Sequence, residues 1–600
     1  MLLLLSSCSS GEEETTREIN GKIFTGTSVA GLVCADLNKN SLCDSSEPKT
    51  YTDATGAFRL NIPESANPPI LAQMFSDHGS AEISYEMVTP SVAYSTTITP
   101  FTTMVYLSSE DATEQTENLV KEMVGFPRVL PFHFDTDAIA EDAPVARISR
   151  LTVDWLKTFR TDPVRSGKIS FDDLLARMPV GLRNLPQLRI ATKDGADINS
   201  KTTYVSAAFE LSHETFSDLP LQLNGKIRGR GNATWQYPKK PYRIQFANNA
   251  NYEAIDDVAG MQKNRHWVLL ADYLDRSLLR NKLALSLANS PLFSDGMKWN
   301  PSGVHVEVVL NGDYIGVYLL TENIRIDPTR LDIVEMDDKP EIGAVDGGYI
   351  VEADGRLDCY RDAKLDLSYV SPIGKTRFCV DTPDEDDITP AQLQYVKTYL
   401  DNVEHELQSR DLPTSINVRS FTDWTLLNEL FKNLDAPFLS SVFLWKGADS
   451  EVRSSDRKLN LGPVWDFDIS AGNFDLPPVH LPEGCWVSRQ HGLYDGSNWL
   501  SILLQKPAYQ ALLSSRWKTM EPSIQSFISK SIDVQRVRLQ AAQARNFVRW
   551  DILGQKLVSY HAWNTWEEEV TFLHDFLTKR SRWMSLIFET EGAYRLDCSY

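Results

Sequence analysis

The residues best suited to chemistry are Asp466 and Asp468, two apart in LGPVWDFDISAGNFD, residues 461–475. The apolar run before them reads as a buried strand, so a carboxylate falls at the strand end and Gly472 follows where the chain must turn sharply. That layout suits Mg²⁺ on nucleotide phosphates, because the cation takes one or two carboxylates and completes its shell with phosphate oxygens and water. WDFD alone is equally what a loop-capping or Arg-paired carboxylate would look like. Upstream, in LLNELFKNLDAPFLSSVFLWKG, a helix carrying Leu426, Leu427, Leu430 and Phe431 stops near Asn433, with Pro437 reinforcing the stop. Asp435 then sits in a short loop before a strand-like 441–445.

A basic block lies earlier, in GKIRGRGNATWQYPKKPYRIQF, residues 225–246. Arg228, Arg230, Lys239, Lys240 and Arg243 surround Gly229 and Gly231, so backbone amides can approach a polyphosphate while the cations neutralise it. YRIQF alternates, which points one basic side chain into a cleft. Lys240 is the first choice for the phosphate-bridging lysine and Arg243 the second, with a solvated sheet edge as the competing reading. The glycine spacing is not that of a Walker A loop. Two further blocks read mainly as scaffold. In DRSLLRNKLALSLA, Asp275 is a natural N-cap and Leu278, Leu279, Leu283 and Leu285 form a core stripe, with Arg280 and Asn281 within reach of the cleft. In VEVVLNGDYIGVYLLTE, Asn311-Gly312 signals a hairpin, and Glu322 at its end falls at a hinge or on the surface.

Taken in order, RGRGNATW, PKKPYRIQF, WVLLADYLDRSLLRN, LNGDYIGVYLLTE, KNLDAPFLSS and GPVWDFDISAGN resemble the CotH spore-coat kinase family over roughly residues 185–588. The resemblance implies an atypical protein kinase fold of two lobes, with ATP and Mg²⁺ as cofactors and transfer of the γ-phosphoryl group to Ser or Thr of a protein substrate. It implies that Asp466 holds metal, that Asp435 is the catalytic-loop aspartate, and that Arg228, Lys240, Arg243 and Glu322 attend the nucleotide. The residue five after Asp435, where kinases place a second metal ligand, is Ser440, and Asp468 either ligates metal or fixes the turn.

The whole chain of 600 residues is expected to be multidomain α+β. We expect a lipoprotein signal remnant over 1–8, a tether over 9–17, a small β-sandwich module over 18–65, a mostly helical spacer over 66–184, and the kinase-like domain over 185–590. A net charge of −21 opposes an unaided nucleic-acid or anionic-membrane surface. No stretch approaches the roughly 18 apolar residues of a spanning helix. The start, MLLLLSSCSSGEEETTRE, resembles a bacterial lipoprotein signal in which Cys8 carries lipid, so the protein is expected to be exported and anchored at the outer membrane or cell surface. Six cysteines then remain for three disulfides: Cys34 with Cys43, Cys359 with Cys379 around a strand pair, and Cys485 with Cys598 by elimination.

Residues 18–64 resemble the prealbumin-like, SdrD B-like β modules of bacterial surface proteins. Within them Asp36, Asn38, Asn40, Asp44 and Glu47 occupy EF-hand positions 1, 3, 5, 9 and 12, with Ser41 in place of the glycine. Structural Ca²⁺ competes there with a plain Asx-turn held by a disulfide. The aromatic-rich segment 486–499 suits a peptide or glycan partner. The rival to a surface kinase is a noncatalytic adhesin or carbohydrate-associated binding protein that keeps the fold, since ATP is scarce outside the cell.

Overall fold

The computed structural model describes residues 15–25, 31–75, 83–90, 95–108, 114–124, 144–157, 159, 169–213, 220–247, 261–336, 345–355, 366–384, 387–487 and 499–589. Two compact units result: residues 1–124 with 129–179, and residues 125–128 with 180–600. The expected lipidation at Cys8 and most of the aromatic-rich segment lie outside the described residues, as do Cys359 and Cys598. No described helix is long and apolar enough to cross a membrane.

The first unit holds β1 (Thr16–Ile23), β2 (Gly31–Ala35), β3 (Lys49–Tyr51), β4 (Ala57–Pro63), β5 (Ile70–Phe75), β6 (Ile83–Thr89) and β7 (Ser95–Ile98). They form two sheets, β4-β1-β7 and β3-β2-β5-β6. Alternation in β4, where Phe58, Leu60 and Ile62 are buried and Arg59 and Asn61 exposed, turns one face inward. Those residues share one core with Ile19, Val33, Ile70, Ala72 and Met87, so the two sheets pack face to face. The sandwich therefore runs on to Ile98, past the boundary expected at residue 65. β5 and β6 complete the second sheet, and β7 pairs in parallel with β1. Helices follow at Pro100–Ser108, Glu114–Val124, Pro144–Lys157 and Phe171–Ala176.

The second unit begins with β8 (Gln187–Thr192), β9 (Val205–Ser212), β10 (Leu221–Gly229), β11 (Tyr242–Phe246), β12 (His266–Leu270), β13 (Gly303–Leu310) and β14 (Asp313–Glu322). They close into a barrel in the order β10-β11-β12-β14-β13-β8-β9. Ile227, Ile244, Trp267, Leu269 and Leu320 are buried on one face of consecutive strands, while Arg228, Arg243 and His266 alternate onto the other. The β13–β14 turn is Asn311-Gly312, both at positive φ as a tight hairpin turn requires. A second sheet follows, β16-β17-β15-β18-β19, from β15 (Tyr349–Ala353), β16 (Ser368–Val370), β17 (Arg377–Thr382), β18 (Val442–Lys446) and β19 (Asn460–Leu461). Four longer helices belong to this unit, Pro390–Leu407, opened by a Thr389/Gln392 capping box, Val418–Phe431, which packs on β19, Pro507–Arg549, which packs on β14 of the barrel, and Trp566–Glu589, which packs on Pro507–Arg549.

Candidate active site

Three loops bring carboxylates together. The first leaves β12 as Ala271-Asp272-Tyr273-Leu274-Asp275 and enters helix Arg280–Ala288. The second leaves helix Val418–Phe431, whose C-cap Lys432 turns left-handed at φ 50°, and runs through Asp435 to β18. The third leaves β19 through Asp466 and Asp468. Hydrogen bonds lock the loops to one another. Leu434 N donates to the Ile469 carbonyl at 3.3 Å and Ala471 N to that of Phe431 at 2.5 Å, while the Phe431 and Phe467 rings meet edge to face at 5.4 Å. Gly472, at φ 80°, closes the third loop where an added Cβ would stand 2.9 Å from the Phe572 and Phe576 rings.

Arg280 and Asn281 belong to this assembly. Fully buried Arg280 pairs with Asp275 at 2.5 Å and donates to the Ser470 carbonyl at 2.9 Å and the Ala471 carbonyl at 3.2 Å. Asn281 donates to Asp272 Oδ1 and accepts from Phe467 N, each at 2.7 Å, so one amide fixes both metal-capable loops. Asp275 does not cap the helix by itself: Leu279 is the N-cap, and the Asp275 carboxylate gathers Ser277 N at 3.0 Å and Arg280 N at 2.8 Å.

Arg230, Tyr237, Lys239, Asp272, Asn281, Asp466 and Asp468 line a small, partly open cleft. Its acid is crowded. Burial, followed by Asp466, Asp272, Asp275 and Asp435, holds Asp468 well above the usual carboxylate range. Burial, then Asp275, pushes Asp272 up to about 7. Opposite, burial draws Lys239 down to about 7 against the pull of Asp272. Burial also lowers Arg230, countered first by Asp466. Concentrated negative charge with one buried ammonium and one guanidinium is a donor set of hard oxygens that a divalent cation would relieve. Among the described residues no group of three or more His, Cys, Asp or Glu side chains is arranged as a metal site. A cation would therefore rest on two carboxylates and on oxygens brought by its ligand.

The expected residues are placed unevenly. Asp466 lines the cleft at φ 63°, and Asp435 lies close enough to act on Asp468. Ser440 Oγ faces Ser441 Oγ at 3.5 Å, and Ser441, just before β18, donates to Asp466 Oδ2 at 3.2 Å. Lys240 is not the lysine of the cleft. Its Nζ donates to the Trp235 carbonyl at 2.6 Å and lies over that indole, whereas Lys239, in the bend before β11, is the lysine that lines the cleft. Lys239 Nζ donates to the Val317 carbonyl and to Asn546 Oδ1, 4.7 Å from the Tyr318 ring. Glu322 does not line this cleft. Fully buried, it pairs with Arg330 at 3.2 Å and accepts from Gln262 N and Ser302 N. Gly229 and Gly231 serve their own loop: an added Cβ would meet the Trp235 ring at 2.4 Å and Thr234 Oγ1 at 2.1 Å. Arg228 donates to the Lys201 and Gly229 carbonyls, and Arg243 pairs with it across β10 and β11.

Sequence reasoning passed over Asp272, which carries the same signal as Asp466: a carboxylate just past a buried strand. In the first unit, the loop after β2 closes on itself. Asp36 accepts from Asn40 N and Ser41 N, Glu47 from Leu37 N and Asp44 N, and Asp44 from the amides of Asn38 and Asn40. Cys34 and Cys43 are bonded beneath it, with Cα atoms 5.7 Å apart. Cys379 and Cys485 each take part in a disulfide whose partner lies outside the described residues. A family model described as CotH kinase protein matches residues 227–584. Comparison with curated proteins gives no match.

Proposed function

Because this chain belongs to the CotH kinase protein family, we propose that its second unit is an atypical protein kinase that passes the γ-phosphoryl group of ATP to Ser or Thr of exported or surface proteins. The observation that carries the reading is the crowded acid of the cleft, Asp466 and Asp468 backed by Asp272 and Asp435, facing Lys239 and Arg230. Asp466 and Asp468 would hold Mg²⁺, which supplies charge neutralisation at the transferring phosphoryl group. Asp435 accepts the proton of the acceptor hydroxyl and orients it for in-line attack. Arg230 and Lys239 neutralise the phosphate oxygens, and Ser441 and Asn281 keep Asp466 aimed. Anchoring through lipid on Cys8 would present the enzyme outside the cell, and Ca²⁺ would order the loop of residues 36–47.

One observation favours the rival, a binding protein without chemistry. Lys239 is already engaged by Val317 and Asn546. Nucleotide titration with and without Mg²⁺ separates the two. Mg²⁺-dependent binding lost in Asp466→Asn supports the kinase, and no binding in either condition leaves the rival.

A further inference from the structure

The non-core face of the barrel carries a cluster that the aspartate cleft does not use. Arg228 and Arg243 stand opposite each other on β10 and β11, and His266 on β12 sits diagonally beside Arg243, because Gln245 pairs with His266 and Arg243 with Val268. Arg325 lies three residues past β14, close enough to act on both Arg243 and His266. Arg265 adds a further cation, its Nε on the Phe246 carbonyl at 3.1 Å. The acids in reach are Asp381 on β17, which faces Arg243, and Asp327, which accepts from Thr329 N and Oγ1. Among the described residues, four guanidinium groups thus meet these two carboxylates, in a chain of net charge −21.

Three nitrogens of this cluster are buried without a hydrogen-bond partner: Arg243 Nε, Arg325 Nε and His266 Nδ1. Among the described residues, neither guanidinium makes a hydrogen bond or an ion pair. Burial first, then Arg325, Arg243 and Arg265, draws His266 down to about 3, so it is a neutral imidazole beside two arginines at ordinary pH. Buried donors are normally satisfied, and mutual repulsion among cations is normally offset by nearby acid. We infer that Arg243, Arg325 and His266 form a binding site for a phosphate-class oxyanion. Two guanidinium forks and an imidazole N–H present several donors to one multi-oxygen anion, the geometry for which arginine is suited. Arg230 adjoins both Arg243 and Asp466, which sets the site next to the aspartate cleft. The anion comes either from the phosphates of the nucleotide or from a phosphorylated residue of the acceptor.

The test is calorimetric titration of the full chain with inorganic pyrophosphate in Mg²⁺-free buffer. Saturable binding is expected, weakened at least tenfold in Arg325→Gln, with the unfolding midpoint of that variant unchanged or raised because an unpaired cation has gone. Absence of saturable binding at millimolar pyrophosphate, equal binding by the Arg243→Gln/Arg325→Gln double variant, or a lowered midpoint in Arg325→Gln would each overturn the inference. A non-hydrolysable ATP analogue and a phosphoserine peptide assign the source: Arg325→Gln weakens one of them, and weakening neither refutes the site. The site lies beside the proposed kinase cleft but does not need its metal, so Asp466→Asn should bind pyrophosphate as the parent does; parental turnover in Asp466→Asn with pyrophosphate binding retained would count against the kinase reading alone.

Discussion

Truncating Asn281 to alanine should loosen the catalytic loops more than any surface change could. Asn281 is 3% exposed and spans Asp272 and the backbone of Phe467 with two bonds of 2.7 Å. Its removal leaves the Phe467 N–H and one Asp272 oxygen without these partners in a dry environment. Each such loss costs about 1–3 kcal/mol, so the sum is about 2–6 kcal/mol, a large share of a typical folding stability. Urea unfolding followed by tryptophan fluorescence should show a lower midpoint at unchanged slope. Asn281→Asp sharpens the test, because it keeps the acceptor for Phe467 N but sets a second carboxylate against Asp272, which burial, and then Asp275, already pushes up to about 7. Carboxyl groups whose folded pKa lies above the unfolded value lose stability as pH rises between the two. The Asp variant should therefore be the weaker of the pair at pH 8 and recover relative to Asn281→Ala at pH 5. If Asn281→Ala unfolds within about 0.5 kcal/mol of the parent, the amide does not fix these loops and the derivation fails.

Asp466→Asn and Asp435→Asn should each lower Mg²⁺-dependent phosphorylation of a Ser-containing acceptor by at least about a hundredfold, with nucleotide binding kept in the second; parental rates in both would refute the assignment. His305, buried with Nε2 2.9 Å from the Leu278 carbonyl, is drawn down to about 3 chiefly by burial. Its unfolded form takes a proton near pH 6.5, so stability should fall as pH drops below that value, by about 2 kcal/mol at pH 5, and His305→Gln should flatten the profile. Millimolar Ca²⁺ should raise the melting temperature of the full chain, an effect lost in Glu47→Gln, and no shift would leave the loop of residues 36–47 as a turn closed by its own hydrogen bonds. Alkylation after denaturation without reductant should find no free thiol, and peptide mapping should join Cys359 to Cys379; six alkylatable thiols would remove the argument for export.

Much of the scaffold is local in origin and legible in the sequence. The Asn311-Gly312 hairpin, the alternation of YRIQF, the helix stopping at Lys432 and the loop-closing Cys34–Cys43 pair each depend on a few neighbouring residues and on backbone preferences that travel with them. The motif aspartates Asp435 and Asp466 were visible for the same reason, as carboxylates at the ends of regular elements. Which neighbours serve them was not. Lys239 rather than Lys240 enters the cleft because β14 and Asn546 of a helix some three hundred residues away supply its acceptors. Glu322 is held in the core by Arg330, and the hydroxyl that reaches Asp466 comes from Ser441, across a contact of 25 residues. The extension of the sandwich to Ile98 likewise follows from β7 pairing with β1, a contact about 75 residues apart. Sequence fixes what a residue can do and the local shape around it, whereas long-range pairing and the demand that buried charge be satisfied decide which of several equivalent residues does it.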